Sequence, residues 1–327
     1  MSNNTLKFLT LNVTNSCDAS CIYCNWWQMS IDSEPFDEPF DVLANAVDQA
    51  ASMGTVGIRI SGGEPLLRSD LPSLIAHIRK HGIISMVCTA ANCELKAIIS
   101  LIDAGLDVLS VSIDTLQPKL FYRIRGYEIK PVLEKLDYLA ELRAKANFEI
   151  VLSVVLTRLS VESLEEVLEY AKIHDFVVNI TPYQSNSQER NAADDLLAFG
   201  INDESFLREA IGIIKEAAAS GVRIINSDEY LDGIVYFMIN RRLPNDYSCY
   251  AGDSAAIRLA GGKLKLCHSL NEIDGVDLAT AWYSDDAEAL RKRMARLDCP
   301  GCWLSCHVDK RRIIVHRYGR EKIWEIL

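Results

Sequence analysis

A chain of 327 residues, 49% hydrophobic and 24% charged, is globular in composition and long enough for one large α/β unit plus an appended module. Its formal net charge of −11 argues against nucleic acid as a partner, because a nucleic-acid binder presents a basic face. No window approaches about eighteen uninterrupted apolar residues, and MSNNTLKFLTLNV is too short and polar for a signal peptide. No membrane association is therefore expected, and the chain is assigned to the cytoplasm, where thiols stay reduced.

In chain order, LKFLTLNV (6–13) has the near-continuous apolar run of a strand covered on both faces. A helix follows around 40–53. VGIRISGG (56–63) is a second strand ending in glycines, and LPSLIAHIRKHG (71–82) is a helix closed by Gly82. The alternation continues with a strand at 83–90, a helix at 94–105, a strand at 106–114 and a helix at 130–146. Strand 148–156, helix 161–175 and strand 176–183 complete it. Sustained β/α alternation implies a parallel sheet with right-handed crossovers. Six units fall short of the eight of a closed barrel, so an open or partial barrel is expected.

After residue 184 the rhythm breaks. QSNSQERNAADD is polar, 204–221 is one more helix, and VRIINS (222–227) is a short strand. AAIRLAGGKLKLC (255–267) has the pattern of a hairpin turning at Gly261–Gly262. In 284–297 a serine cap, early acids and late bases mark a helix. The expected organisation is a barrel over 1–200, connecting helices over 201–245 and a small cysteine-bearing α+β module over 246–327. Such a module buries little core of its own and would be held by a bound metal group.

Ten cysteines in a reducing compartment point to metal or cluster binding. Cys17, Cys21 and Cys24 lie in NSCDASCIYCNWW, just past the first strand, at the edge where parallel sheets bind ligands. Three thiolates on a cubane cluster leave one iron open, and an open coordination position is where chemistry occurs. A zinc knuckle or three unrelated thiols is the plain alternative. ISGGEPLL (60–67) ends the second strand: Gly62 and Gly63 allow close approach of backbone, and Glu64 offers a carboxylate to an ammonium group. Taken alone, it would be an ordinary strand-to-helix turn.

The C-x3-C-x2-C spacing after strand one, Tyr23 before the last cysteine and GGEP after strand two together resemble the radical S-adenosylmethionine superfamily. The resemblance covers roughly the first 185 residues. It implies a partial (β/α)6 barrel in which Cys17, Cys21 and Cys24 hold a [4Fe–4S] cluster. The open iron is chelated by S-adenosylmethionine, whose reductive cleavage yields a 5′-deoxyadenosyl radical. It further implies that Tyr23 lies against the adenine and that Gly62, Gly63 and Glu64 meet the methionyl ammonium. Ser112, and less directly Asp114, would contact the ribose, and Val154 and Leu156 would pack the adenine. FYRIRG (121–126) also looks typical. A flavodoxin- or ferredoxin-type reductant is the implied redox partner.

Five cysteines lie late: Cys249 and Cys267, spaced C-x12-G-x4-C, then Cys299, Cys302 and Cys306 in CPGCWLSC. A zinc ribbon fits the spacing alone. The pattern also resembles the SPASM and twitch modules that follow radical SAM barrels, nearer to the shorter twitch form. That resemblance implies one auxiliary [4Fe–4S] cluster on Cys249, Cys267 and Cys302, with Cys299 or Cys306 as fourth ligand. The spare thiol is either structural or, as Cys306 suggests, a hydrogen-atom donor to a product radical. Cys88 and Cys93 are read as inert thiols. Tyr183, Gln184, Asn186 and Arg190 leave strand six at the barrel mouth and are candidate substrate contacts.

Three functions remain in view. The first is oxidation or epimerisation of a small polar metabolite such as a sugar or aminocyclitol. The second is modification of a ribosomally made peptide; the first strand begins by residue 6, so no leader-binding domain is expected before the barrel. The third is a non-catalytic iron–sulfur carrier, which would have no use for the ammonium site that GGEP supplies.

Overall fold

A computed structural model describes residues 5–28, 37–184, 194–244, 249, 251–275, 277–299 and 301–304, and the backbone of 312–317 and 320–325. Six strands, β1 (Phe8–Asn12), β2 (Gly57–Ser61), β3 (Ile84–Thr89), β4 (Val108–Ser112), β5 (Glu149–Leu156) and β6 (Val177–Pro182), pair in parallel, each beside the next in sequence. The helices between them are α1 (Phe40–Ser52), α2 (Leu71–Lys80), α3 (Leu95–Asp103), α4 (Pro118–Arg125), α5 (Lys130–Arg143) and α6 (Leu164–Ile173). These are the six expected β/α units, with boundaries moved inward by a few residues. The added helix is α4, which begins on a proline whose missing N–H costs nothing at a helix start.

β6 does not close on β1. The short β7 (Arg223–Ile224) extends the sheet beyond β6, and β8 (Ala255–Arg258) pairs in parallel with the free side of β1. β9 (Leu264–Lys265) then folds back antiparallel on β8, as the hairpin pattern at 255–267 requires. The late segment thus contributes two strands to one nine-stranded open sheet. A short α7 (Asp194–Leu197) precedes α8 (Glu204–Ala219) and α9 (Asp228–Asn240); α10 (Leu278–Trp282) and α11 (Asp285–Ala295) follow the hairpin. Ser227 caps α9 by accepting from the Tyr230 N–H, with Asp228 and Glu229 in the first turn. Two last strands, β10 (Arg312–Arg317) and β11 (Arg320–Glu325), form a separate antiparallel pair.

Strand alternation sorts the side chains into two faces. Leu9, Leu11, Ile58, Ile60, Val87, Leu109, Val111, Leu152 and Ile180 pack under the helices in the main core. The opposite, concave face is layered. Ile84, Met86, Val108, Val151 and Val177, with Phe8, make an apolar floor near the strands' N-terminal ends. One residue pair higher the same face turns polar, with Thr10, Arg59, Ser110, Ser153 and Asn179. A core sealed at one end and polar at the other directs a ligand to the C-terminal edge of the strands.

Candidate active site

The loop after β1 is held from both sides by backbone hydrogen bonds. On one side the Gly63 N–H donates to the Thr14 carbonyl (3.0 Å) and the Glu64 N–H to the Ser16 carbonyl (2.7 Å). A Cβ at Gly62 would strike the Thr14 carbonyl, and one at Gly63 the Ser16 carbonyl. The close approach expected of these glycines is therefore to the cysteine loop's own backbone. On the other side the Ser20 and Ile22 N–H groups donate to the carbonyls of Arg125 and Ile124, at 3.1 and 2.9 Å. The Cys24 N–H donates to the Cys21 carbonyl (3.1 Å), which also accepts from the Trp27 indole (3.0 Å).

This strapping gathers the three thiols. Burial pushes the Cys17 thiol up to about 12, and the charges of Glu64, Cys21 and Cys24 act in the same direction, so the four acidic groups lie within electrostatic reach. Burial also raises the buried Cys21 thiol, opposed by Arg125, whose Nη1 lies 3.7 Å from its sulfur. None of the three is in a disulfide. Three cysteine sulfurs on one loop, with no carboxylate or imidazole completing the set among the described residues, fit a cluster that keeps one iron for another ligand.

Arg125 is placed by Asp114, buried just past β4. Its Nε donates to Asp114 Oδ2 (2.7 Å) and its Nη2 to Oδ1 (3.0 Å). The Tyr23 hydroxyl donates to Oδ2 (2.8 Å) and the Val155 N–H to Oδ1 (2.9 Å). Both Asp114 oxygens are thus engaged within the protein, and its part here is to fix Arg125 beside Cys21 and under the Tyr23 ring, 5.1 Å from the ring centre. The sequence shows FYRIRG but not this function of its second arginine. Ser112, one alternation before Asp114 on the concave face, is half-buried.

Glu64 is 3% exposed. Its Oε1 accepts from the Leu66 N–H (3.0 Å) and the Thr89 hydroxyl (2.7 Å), and its Oε2 from the Ala90 N–H (2.7 Å). A carboxylate offers about four acceptor positions, so one is left for an incoming donor. Burial raises its carboxyl to about 7 in spite of these bonds. Arg68, four residues on, ties the site to the barrel through the Val13 carbonyl (3.1 Å) and the Glu38 carbonyl (2.9 Å). Val154 and Leu156, expected at the adenine, are buried in the helix-facing core; Val155 is the β5 residue on the concave side, because alternation puts odd positions there.

Of the late cysteines, Cys267 is buried and Cys249, Cys299 and Cys302 half-buried, and none of these four is in a disulfide. Cys249 Sγ accepts from the Ala251 N–H (3.5 Å) and Cys267 Sγ from the Ser269 N–H (3.4 Å). Cys306, Asn186 and Arg190 lie outside the described residues. Beside Cys302, Trp303 is 5% exposed and docks on α9: its indole donates to the Tyr230 carbonyl (2.9 Å), and a Cβ at Gly233 would strike its ring. Gln184 grips the Trp303 backbone, so this candidate substrate contact fastens the late cysteine loop to the exit of β6. The adjoining Tyr183 is buried. Sequence reasoning also missed Arg59, whose charge inside the apolar run GIRIS was its only signal.

A model of the radical SAM superfamily matches residues 11–171. A GTP 3′,8-cyclase of Sulfurimonas denitrificans is 31% identical over 246 residues, 70% of this chain and 72% of its own. The chain belongs to the radical SAM superfamily. A probable GTP 3′,8-cyclase of Methanococcus aeolicus is 27% identical over 321 residues, 96% of this chain and 98% of its own. Among solved structures, Streptococcus suis SuiB bound to precursor peptide SuiA superposes with a TM-score of 0.72 at 16% identity, over 92% of this chain and 73% of that one. The structure titled anSMEcpe with bound AdoMet gives 0.65 at 16% identity, over 89% and 83%. These two likenesses concern the fold. As a radical SAM enzyme the chain uses a [4Fe–4S] cluster and S-adenosylmethionine. Among the described residues no helix is long and apolar enough to cross a membrane.

Proposed function

We propose that this radical SAM enzyme abstracts hydrogen from a sugar carbon of a phosphorylated nucleoside. The observation that carries the reading is Arg59. It stands on the concave face of β2, half-buried, with its guanidinium held by Thr10 Oγ1 at 2.9 and 3.2 Å. Among the described residues no carboxylate pairs with it, whereas the buried Arg68, Arg125 and Arg258 each have one. With Phe8, Ala255, Ile257 and His268 it lines a cavity between β1, β2 and β8. A guanidinium held by a hydroxyl and without a carboxylate partner among the described residues suits a phosphate. The names of the relatives support it, since GTP 3′,8-cyclase names a purine nucleotide and a ribose carbon. A sugar carbon thus stays the target, while the free sugar or aminocyclitol expected from sequence gives way to a nucleotide.

In this reading Cys17, Cys21 and Cys24 hold the cluster and Glu64 accepts the methionyl ammonium with its spare lone pair. Tyr23 and Ser112 border the nucleoside of the cosubstrate, and Asp114 orients Arg125. When bound, the cluster and S-adenosylmethionine supply the 5′-deoxyadenosyl radical. Cys249, Cys267 and Cys302, with Cys299 or Cys306, hold an auxiliary cluster in the module over 246–327, carried to the barrel mouth by Trp303. Ring closure is then one fate of the substrate radical, and the oxidation or epimerisation expected from sequence is the other.

The test is anaerobic reconstitution followed by dithionite, S-adenosylmethionine and GTP deuterated on the ribose. Deuterium should appear in 5′-deoxyadenosine, and Arg59→Ala should raise the nucleotide KM by roughly 10- to 100-fold, the worth of a charge-assisted hydrogen bond. Turnover indifferent to every nucleoside phosphate but stimulated by a peptide would replace this reading with the peptide-modifying one that the SuiB likeness suggests.

A further inference from the structure

A second group of metal-ligating side chains lies far from the cysteines. His77 and His81 are four residues apart at the end of α2, so their imidazoles share one helix face, with ring centres 5.2 Å apart. Asp48 comes from the last turns of the neighbouring α1. Both Nε2 atoms lie 2.7 Å from the same Asp48 oxygen, Oδ1. All three ligand atoms fall within 4.8 Å of one another. Their side chains are 24%, 32% and 50% exposed for His77, His81 and Asp48, which leaves the cluster open to water on one side.

We propose that Asp48, His77 and His81 form a binding site for a zinc ion, clamping α1 to α2 at the end of the barrel opposite the cysteine loop. Two imidazole nitrogens and one carboxylate oxygen, with water as fourth ligand, are a zinc donor set. At Zn–N and Zn–O lengths of about 2.0–2.1 Å, tetrahedral ligand atoms stand roughly 3.3 Å apart, so the carboxylate need withdraw from each imidazole by only about half an ångström. The helix ends favour a cation, against the charges of Arg79 and Lys80 in the same turn. Both helices end here, and the negative ends of their dipoles face the site. The present arrangement also requires two donors to share one oxygen, which a metal ion relieves by taking all three lone pairs. The set contains no sulfur, which separates it chemically from both cysteine groups. The strands' N-terminal ends lie beside it, whereas the cysteine loop leaves β1 at the opposite end, so the site has no part in hydrogen abstraction.

The experiment uses holoenzyme with its clusters reconstituted, so that cysteines do not compete for zinc. After zinc addition and gel filtration, wild type should retain about one zinc per chain, with a first shell of nitrogen and oxygen only by X-ray absorption, and its Tm should rise. The double variant His77→Ala/His81→Ala should lose that zinc and the Tm response, with iron content and 5′-deoxyadenosine formation unchanged. His81→Gln, which keeps a polar side chain on the helix, should bind zinc at least ten-fold more weakly. Zinc with sulfur in its first shell, equal zinc in wild type and folded variants, or no zinc retained by wild type overturns the proposal.

Discussion

Gln184 and Trp303 hold each other by the backbone: Gln184 Oε1 accepts from the Trp303 N–H at 3.0 Å, and Gln184 Nε2 donates to the Trp303 carbonyl at 3.4 Å. One side chain at the end of β6 therefore satisfies both main-chain groups of the residue following Cys302. Replacing it removes the acceptor of the Trp303 N–H in a partly buried place, while the Trp303 carbonyl keeps the Tyr230 hydroxyl at 3.1 Å, at a cost of about 1–3 kcal/mol. Gln184→Ala should lower stability by that amount in chemical denaturation. Trp303→Ala, which also empties the space against Gly233 and Tyr230, should cost about 3–5 kcal/mol. A Trp303→Ala effect below that of Gln184→Ala would show that the indole is not the anchor.

Gly63→Ala should be more damaging than its single methyl suggests. The Cβ would enter the Ser16 carbonyl, and neither backbone segment can retreat without breaking the bonds at Thr14 and Ser16. A cost of about 1–3 kcal/mol or more is expected from such overpacking. Iron per chain after reconstitution should fall, because the strained loop carries Cys17. Unchanged iron content and unchanged stability would contradict the account of this contact.

Asp114 and Arg125 form a buried pair, 0% and 6% exposed at the side chain. Removing either partner strands the other charge, so Asp114→Ala and Arg125→Ala should each destabilise by about 3–5 kcal/mol. The double variant should cost clearly less than the sum, a coupling that a double-mutant cycle on denaturation midpoints measures. Additive losses would mean the two side chains act separately.

Glu64 makes the metal-free chain's stability depend on pH in a stated direction. Its folded carboxyl is raised to about 7 from an ordinary 4.5, so between those values the folded state holds a proton that the unfolded state has released. The associated stability is whole below pH 4.5 and is lost as pH rises through 7, amounting to about 3 kcal/mol for a shift of that size. Glu64→Gln should flatten this slope in denaturation curves taken across the window. An ammonium arriving at the carboxylate should expel the same proton, so S-adenosylmethionine should bind more tightly as pH rises from 6 to 8 in wild type and not in Glu64→Gln.

Much of the barrel was legible because strand and helix periodicity are local. LKFLTLNV, FEIVLSVVL and the helix patterns between such runs announce their faces within a few residues, and their register across the sheet follows from keeping those faces buried. The cysteine loop and GGEP were legible as segments at strand ends, and the structure brings them together there. Arg59 was not, because its meaning depends on which face of β2 it occupies and on whether a carboxylate from another strand meets it. Gln184 was read as a substrate contact because a polar residue at the barrel mouth gives no hint of its partner 119 positions later.

The sequence by itself determined the order of the β/α units, the three-thiol loop after the first strand and the glycine-rich turn after the second, since each is written in contiguous residues. Only the tertiary structure decided that β8 would add to the open side of β1, that Asp114 would be spent on Arg125, and that His77 and His81 would converge on Asp48. Such pairings join segments whose side chains carry no mark of each other. They arise when the sheet's twist and the helices' packing bring distant surfaces into contact, and buried polar groups then take whatever partner is within reach.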